Sequence, residues 1–184
     1  LILKNNPDNV VVIDEAYVDF GGESCVPLTK KYKNLLVTQT FSKSRSMAGA
    51  RLGFGIGSPE LISDLRSIKY STNPYNVNSM TMAAGIAMLE DEETTKKNCA
   101  TIMENRAYAA EEMKKLGFLM TDSKTNFVFA KHPGTDGGWL YQTLKEKGIL
   151  VRHFTSPRLR DYNRITIGSM EQMAALMKTL EEIL

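Results

Sequence analysis

The side chains whose types and spacing could do chemistry are densest between residues 40 and 51. Thr40-Phe41-Ser42-Lys43-Ser44-Arg45-Ser46 sets one lysine in a hydroxyl-rich loop, and Met47-Ala48-Gly49-Ala50-Arg51-Leu52-Gly53 closes it with an arginine. Strand-type residues stand on both sides, Leu35, Leu36 and Val37 before and Leu52, Phe54 and Ile56 after. A lysine held by packed strands is expected to lose solvation and some basicity, which makes its amine a usable nucleophile. The hydroxyls and Arg51 could hold a phosphate beside it, since a guanidinium fork grips two oxygens at once. Ser44, Arg45 and Ser46 are expected only to shape the loop.

A second set precedes the first. Val10-Val11-Val12-Ile13 reads as a strand buried on both faces of a parallel sheet, and it ends in Asp14-Glu15-Ala16-Tyr17. In open α/β sheets ligands gather at the carboxyl ends of strands, which is where Asp14 emerges. Four apolar residues before two acids also describe the strand of a nucleotide-binding Walker B motif, whose acids serve Mg²⁺ and water. A Walker A loop of the form G-x-x-x-x-G-K-S/T does not occur in the sequence. An acid capping a strand end and a tyrosine in a turn is the plain structural alternative.

The lysine loop resembles the Schiff-base lysine segment of fold-type I pyridoxal-phosphate enzymes, in particular the histidinol-phosphate aminotransferases. That family reads T-(F/L)-S-K-(A/S) and then (L/M)-A-G-x-R-(L/V/C)-G, as Thr40 to Ser44 and Met47 to Gly53 do here. The resemblance implies that Lys43 binds pyridoxal 5'-phosphate covalently, is displaced by substrate and then carries a proton. It implies that Thr40, Ser42 and Arg51 hold the cofactor phosphate. Asp14 would pair with the ring nitrogen and Tyr17 with the phenolic oxygen of the ring. Two later segments, Gly148-Ile149-Leu150-Val151-Arg152 and Arg164-Ile165-Thr166-Ile167-Gly168, resemble strands of the same family. There Arg164 would match the arginine that grips the substrate α-carboxylate, and Arg152 the one that binds the substrate phosphate. The alternative for these two is a pair of strand-edge cations with solvated heads.

The elements that must position these groups follow from pattern. Residues 34–39 read as a second strand, and the segment from Arg51 as a third whose glycines allow close backbone approach. Ser58-Pro59-Glu60 is a helix start, with Leu61, Ile62, Leu65 and Ile68 marking an expected buried face. A polar, aromatic loop, in which neither Tyr75 nor Asn76 takes an assignable role, leads to a helix over 79–89 whose Met and Ala residues are expected to pack in a core. Asp91-Glu92-Glu93 is a charged break, so residues 1–93 and 94–184 are expected to form two domains. Beyond it, helical spacing runs to Leu116 and stops at Gly117. Strands are expected at 118–120, 126–130, 149–151 and 164–167, with helices over 139–147 and through Met173, Leu176, Met177, Leu180 and Ile183. His153 takes no role. The expected class is α/β, the C-terminal part of a mostly parallel large-domain sheet of fold type I followed by a small lobe with helices layered over a sheet.

Composition agrees with a globular protein: of 184 residues, 42% are hydrophobic and 24% charged, with a formal net charge of +2. That balance argues for neither nucleic acid nor a membrane surface as partner. Cys25 and Cys99 are far apart and neither His132 nor His153 has a partner at ligand spacing, so no metal is expected. Few cysteines and no signal segment point to the cytoplasm. The chain opens at Leu1 without an initiator methionine, as a piece of a longer chain would. By the resemblance, the whole protein is a homodimer that exchanges an amino group between histidinol phosphate and glutamate or 2-oxoglutarate in histidine biosynthesis. A ring-stacking aromatic, a cofactor-contacting asparagine, a glycine-rich phosphate turn and a partner-subunit tyrosine would lie upstream of Leu1. The chain alone is therefore expected to be inactive. The competing readings are a related pyridoxal enzyme such as a threonine-phosphate decarboxylase, and a non-enzymatic α/β module with a Walker-B-like strand.

Overall fold

In the computed structural model, which describes residues 1–184, one helical turn, α1 (Ile2–Asn5), precedes three strands. They are β1 (Val11–Asp14), β2 (Leu35–Thr40) and β3 (Gly53–Ile56). β2 lies in the middle, parallel to β1 and antiparallel to β3. Its apolar residues Leu35, Leu36 and Val37 are buried, as expected of a strand paired on both sides. Gly53 lets β3 approach closely, since a side chain there would meet the Gln39 carbonyl oxygen at 2.9 Å. Of the two pairings one is parallel, and the expected double burial of the first strand is corrected. β1 is an edge strand, and its Val12 is 55% exposed.

Two helices follow the sheet. Ser58 caps α2 (Pro59–Thr72) by accepting the Leu61 amide at 3.3 Å, with proline in the first turn. Asn78 caps α3 (Ser79–Glu90) through the Thr81 amide at 2.9 Å. The stripe read as the buried face of α2 is not buried: Leu61 and Ile62 are half-buried, while Leu65 and Ile68 are exposed. The core packing expected of α3 is likewise corrected. Only Thr81 and Gly85 are buried, Gly85 directly against Leu52, while Met80, Met82, Ile86 and Leu89 face outward. Periodicity identifies which face of a helix is apolar; it does not supply the surface that covers it. A three-stranded sheet offers too little apolar area for both helices.

Two compact units divide the chain, residues 1–96 and 97–184, and α4 (Glu92–Lys115) runs from the first into the second. The second unit continues with β4 (Leu119–Met120), β5 (Phe127–Lys131), α5 (Gly137–Glu146), β6 (Arg152–His153), β7 (Asn163–Thr166) and α6 (Met170–Ile183). Its strands form an antiparallel sheet in the order β4-β5-β7-β6. Helices cover one face of this sheet, so the core draws Ala109 and Met113 from α4, Val128 and Ala130 from β5, Leu140 and Leu144 from α5, Ile165 from β7 and Leu176 and Leu180 from α6. The strand expected at 149–151 is displaced to Arg152–His153, because Ile149 and Val151 turn into the core instead of pairing. Gly117 ends α4 with φ 86°, a left-handed position that favours glycine. No helix is long and apolar enough to cross a membrane.

Candidate active site

Strand register gathers the first two sets of chemical residues at one end of the three-stranded sheet. Asp14, last in β1, is the Cα partner of Thr38, and Thr40, last in β2, is the partner of Gly53. The segments leaving β1, leaving β2 and entering β3 therefore meet, and they carry Asp14 and Tyr17, then Ser42 and Lys43, then Arg51. A hydrogen bond from the Phe41 amide to the Leu52 carbonyl, 3.0 Å, closes the base of the lysine loop.

Within this cluster Lys43 is half-buried rather than sealed, and its Nζ lies 5.6 Å from the centre of the Tyr17 ring. Asp14 is exposed. Its Oδ1 accepts the Ala16 amide at 3.0 Å, an arrangement that fixes the carboxylate and leaves its other oxygen outward. Thr40 and Ser42 form a local pair: their hydroxyls are 3.0 Å apart, and the Ser42 amide donates to the Thr40 Oγ1 at 3.1 Å. Arg51 adopts a left-handed backbone with φ 55° after the helical turn Ala48–Ala50 and donates one guanidinium hydrogen bond to the Ala48 carbonyl at 2.8 Å. The remaining guanidinium donors have no partner in the chain, and the side chain is exposed at the mouth of the loop. An amine, a free carboxylate oxygen, a phenol, two hydroxyls and an arginine fork make a donor set that suits an anionic, aromatic, carbonyl-bearing ligand.

Two acids between these residues carry structural weight that their sequence context does not reveal. Glu15 is buried and accepts hydrogen bonds from Ser24 Oγ at 2.8 Å, the Cys25 amide at 2.5 Å and Gln39 Nε2 at 2.9 Å. It ties the turn after β1 to β2, and its saturated carboxylate does not suit the metal or water duty of a Walker B acid. Asp19, in the helical turn Val18–Phe20, accepts a hydrogen bond from the buried Ser44 hydroxyl and pairs with Arg45 at 3.2 Å. Arg45 also lies over the Phe41 ring at 5.2 Å. No signal in the local sequence points to Asp19, since Ser44 and Arg45 lie 25 and 26 residues further on.

In the second unit, Arg152 and Arg164 are direct cross-strand partners in β6 and β7 and so share one face of the sheet, opposite the helices. That face is aromatic. Arg164 lies 5.4 Å from the Phe127 ring centre and Arg152 5.7 Å from that of Phe154, while Phe129 stacks on Tyr162 at 4.6 Å. Two like charges directly opposite each other are unfavourable unless an anion joins them. The Nε of Arg164 is buried with no partner in the chain.

Comparison with known proteins gives the family. Residues 2–180 match the family described as aminotransferase class I and II. The chain is 49% identical, over 183 residues, to the histidinol-phosphate aminotransferase of Lactococcus lactis subsp. cremoris strain SK11; the match takes in 100% of the chain and 51% of that protein. Among solved structures, the histidinol-phosphate aminotransferase from Clostridium acetobutylicum superposes with a TM-score of 0.89 at 26% identity, covering 99% of this chain and 57% of that one. The histidinol-phosphate aminotransferase from Sinorhizobium meliloti in complex with pyridoxal-5'-phosphate superposes with a TM-score of 0.78 at 25% identity, covering 95% and 50%. The chain thus spans about half the length of the curated relatives it matches. With its lysine loop, its α/β fold and a family match over nearly its whole length, the chain belongs to the class I and II aminotransferases.

Proposed function

We propose that this chain carries the lysine-bearing half of a histidinol-phosphate aminotransferase, which binds pyridoxal 5'-phosphate and exchanges an amino group between histidinol phosphate and glutamate or 2-oxoglutarate. Residues 1–93 would belong to its cofactor domain and residues 94–184 would form its small lobe, with the whole protein acting as a homodimer in the cytoplasm. The observation that carries this reading is the meeting of Asp14, Tyr17, Thr40, Ser42, Lys43 and Arg51 at one sheet end. These residues fit the cofactor by donor chemistry: Thr40, Ser42 and Arg51 for its phosphate, Asp14 and Tyr17 for its ring, Lys43 for its aldehyde.

When bound, pyridoxal phosphate supplies an electron sink for the negative charge left at a substrate carbon as its proton departs. The chain's own residues do the rest. Lys43 contributes the nucleophilic amine that anchors the cofactor and, once released by substrate, carries a proton on Nζ. The free oxygen of Asp14 would hold a proton on the ring nitrogen of the cofactor, and the Tyr17 hydroxyl would hydrogen-bond its ring oxygen. Arg164 would hold the carboxylate of glutamate and Arg152 the phosphate of histidinol phosphate, each through the two-pronged geometry of a guanidinium.

A chimera tests this reading. Joined to the preceding half of the L. lactis relative, the chain is expected to form glutamate from histidinol phosphate and 2-oxoglutarate, whereas the 184-residue chain alone gives no turnover. A chimera that folds and binds the cofactor yet forms no glutamate would overturn the reading. Release of carbon dioxide from threonine phosphate would replace it with the decarboxylase.

A further inference from the structure

Lys43 sits on a short arc between two anchors. On one side Phe41 is buried and bonded through its amide to Leu52. On the other, Ser44 is buried and donates its hydroxyl to Asp19, and Arg45 reaches the same carboxylate oxygen at 3.2 Å. Asp19 belongs to the helical turn that follows Tyr17 and is itself pinned by amide bonds from Phe20 to Tyr17 and from Gly22 to Val18. Tyr17, in turn, faces the Lys43 amine across 5.6 Å. The contacts close a ring: Tyr17, Lys43, Ser44, Asp19 and back along the chain to Tyr17.

The Asp19 side chain retains 35% of its exposure and that of Arg45 16%. With the Asp19 carboxylate a third exposed, water screens the pair and its contribution to global stability is small. Its geometric effect is larger, because one carboxylate oxygen holds the two residues that follow the reactive lysine. Without it, Ser44 loses its side-chain anchor, and the arc keeps the Ser42 bonds to Thr40, the Ser46 amide on the Lys43 carbonyl, the Met47 amide on the Phe41 carbonyl and the packing of Arg45 over the Phe41 ring.

We infer that Asp19 is a positioning residue for Lys43: by clamping Ser44 and Arg45 it fixes the lysine amine against Tyr17 and holds it ready for the cofactor aldehyde. This rests on the pyridoxal phosphate reading of the site. The bond that forms is between Nζ and the aldehyde carbon, with loss of one water; borohydride then reduces that bond and makes it permanent.

The test is the rate of borohydride-trapped labelling of each lysine by pyridoxal phosphate, read by peptide mass spectrometry on the 184-residue chain. Unaltered chain, D19A, D19N, S44A and the double variant D19A/S44A are compared, with far-UV circular dichroism and melting midpoints recorded in parallel. Labelling is run well below every midpoint, so that loss of fold is not the readout. The expected result is a fall of about tenfold at Lys43 in D19A, the scale at which misplacing a reacting group is felt. Exposed Lys30 and Lys31 serve as controls with unchanged rates. D19N, which keeps an acceptor for Ser44, is expected to fall less, and the double variant no further than D19A, since both changes cut one link. Lys43 labelling in D19A and S44A within twofold of the unaltered chain would overturn the assignment of Asp19 while leaving the cofactor reading intact. Failure of the unaltered chain to label Lys43 faster than Lys30 and Lys31 would show that these residues form no pyridoxal phosphate pocket within this chain, and would overturn this inference with it.

Discussion

At the scale of single residues, the site separates groups that look alike in sequence. Asp14 and Glu15 are adjacent acids at a strand end, yet one faces outward with a free oxygen and the other is buried under three donors. Replacing Glu15 with alanine strands the Ser24 and Gln39 side chains and the Cys25 amide, and is expected to cost about 2–3 kcal/mol in urea unfolding. Asp14→Ala removes an exposed group and is expected to change stability by less than about 0.5 kcal/mol in the same measurement. An E15A chain as stable as the unaltered one would show that the buried carboxylate is not the tie between β1 and β2. Lys43, Thr40, Ser42 and Arg51 were legible in the sequence because they form one continuous string with a chemical logic of its own. Glu15 and Asp19 were not, because their partners lie 9 to 26 residues away and become neighbours only when β1 and β2 pair.

At the scale of elements, ends were more legible than faces. Ser58 and Pro59 announce the start of α2, and the Ser58 hydroxyl takes the Leu61 amide as that pattern requires. Ser58→Ala is therefore expected to cost about 1 kcal/mol in thermal or urea unfolding. Glu60 lies in the same first turn, where backbone amide donation, and then the Ser58 side chain, hold its carboxyl below the ordinary 4.5. The charged form is thus favoured by folding. Its contribution is present above about pH 4.5 and is lost as pH falls through the lower folded-state value. E60Q is expected to flatten the acid limb of the stability curve below that pH and to leave it unchanged near neutrality; an unaltered acid limb would contradict the assignment. Faces were misread for a physical reason. The stripe on α2 is apolar as the spacing says and α3 is rich in Met and Ala, but Ile68, Met80 and Ile86 are exposed because neither helix finds a partner surface wide enough within residues 1–96. The shift of β6 to Arg152–His153 has the same origin, since Ile149 and Val151 serve the helical layer before any strand partner.

At the scale of the whole chain, two units of different completeness stand out. Residues 97–184 wrap a four-stranded sheet with three helices around a continuous apolar core, so Leu144→Ala, at a fully buried position, is expected to cost about 2–5 kcal/mol. Amide exchange across β5 and β7 would report it, and a loss under about 1 kcal/mol would mean that the site collapses around the change. Residues 1–96 centre on a three-stranded sheet with exposed apolar faces on β1, α2 and α3, and it is this unit that carries the lysine loop. The α/β class and the pairing of a sheet end with a chemical loop were legible in the sequence; the uncovered faces of α2 and α3 were not, because residue type does not record which surface is present to cover it. The proposed function requires residues 14–51 to form a pyridoxal phosphate site within this chain. The most direct measurement is to incubate the purified chain with stoichiometric pyridoxal phosphate, reduce with borohydride and map the modified lysine, with K43A as control. A visible absorption band and a single modified residue, Lys43, are expected, both lost in K43A. Labelling scattered over Lys30, Lys31 and other exposed amines, and equal in K43A, would contradict it.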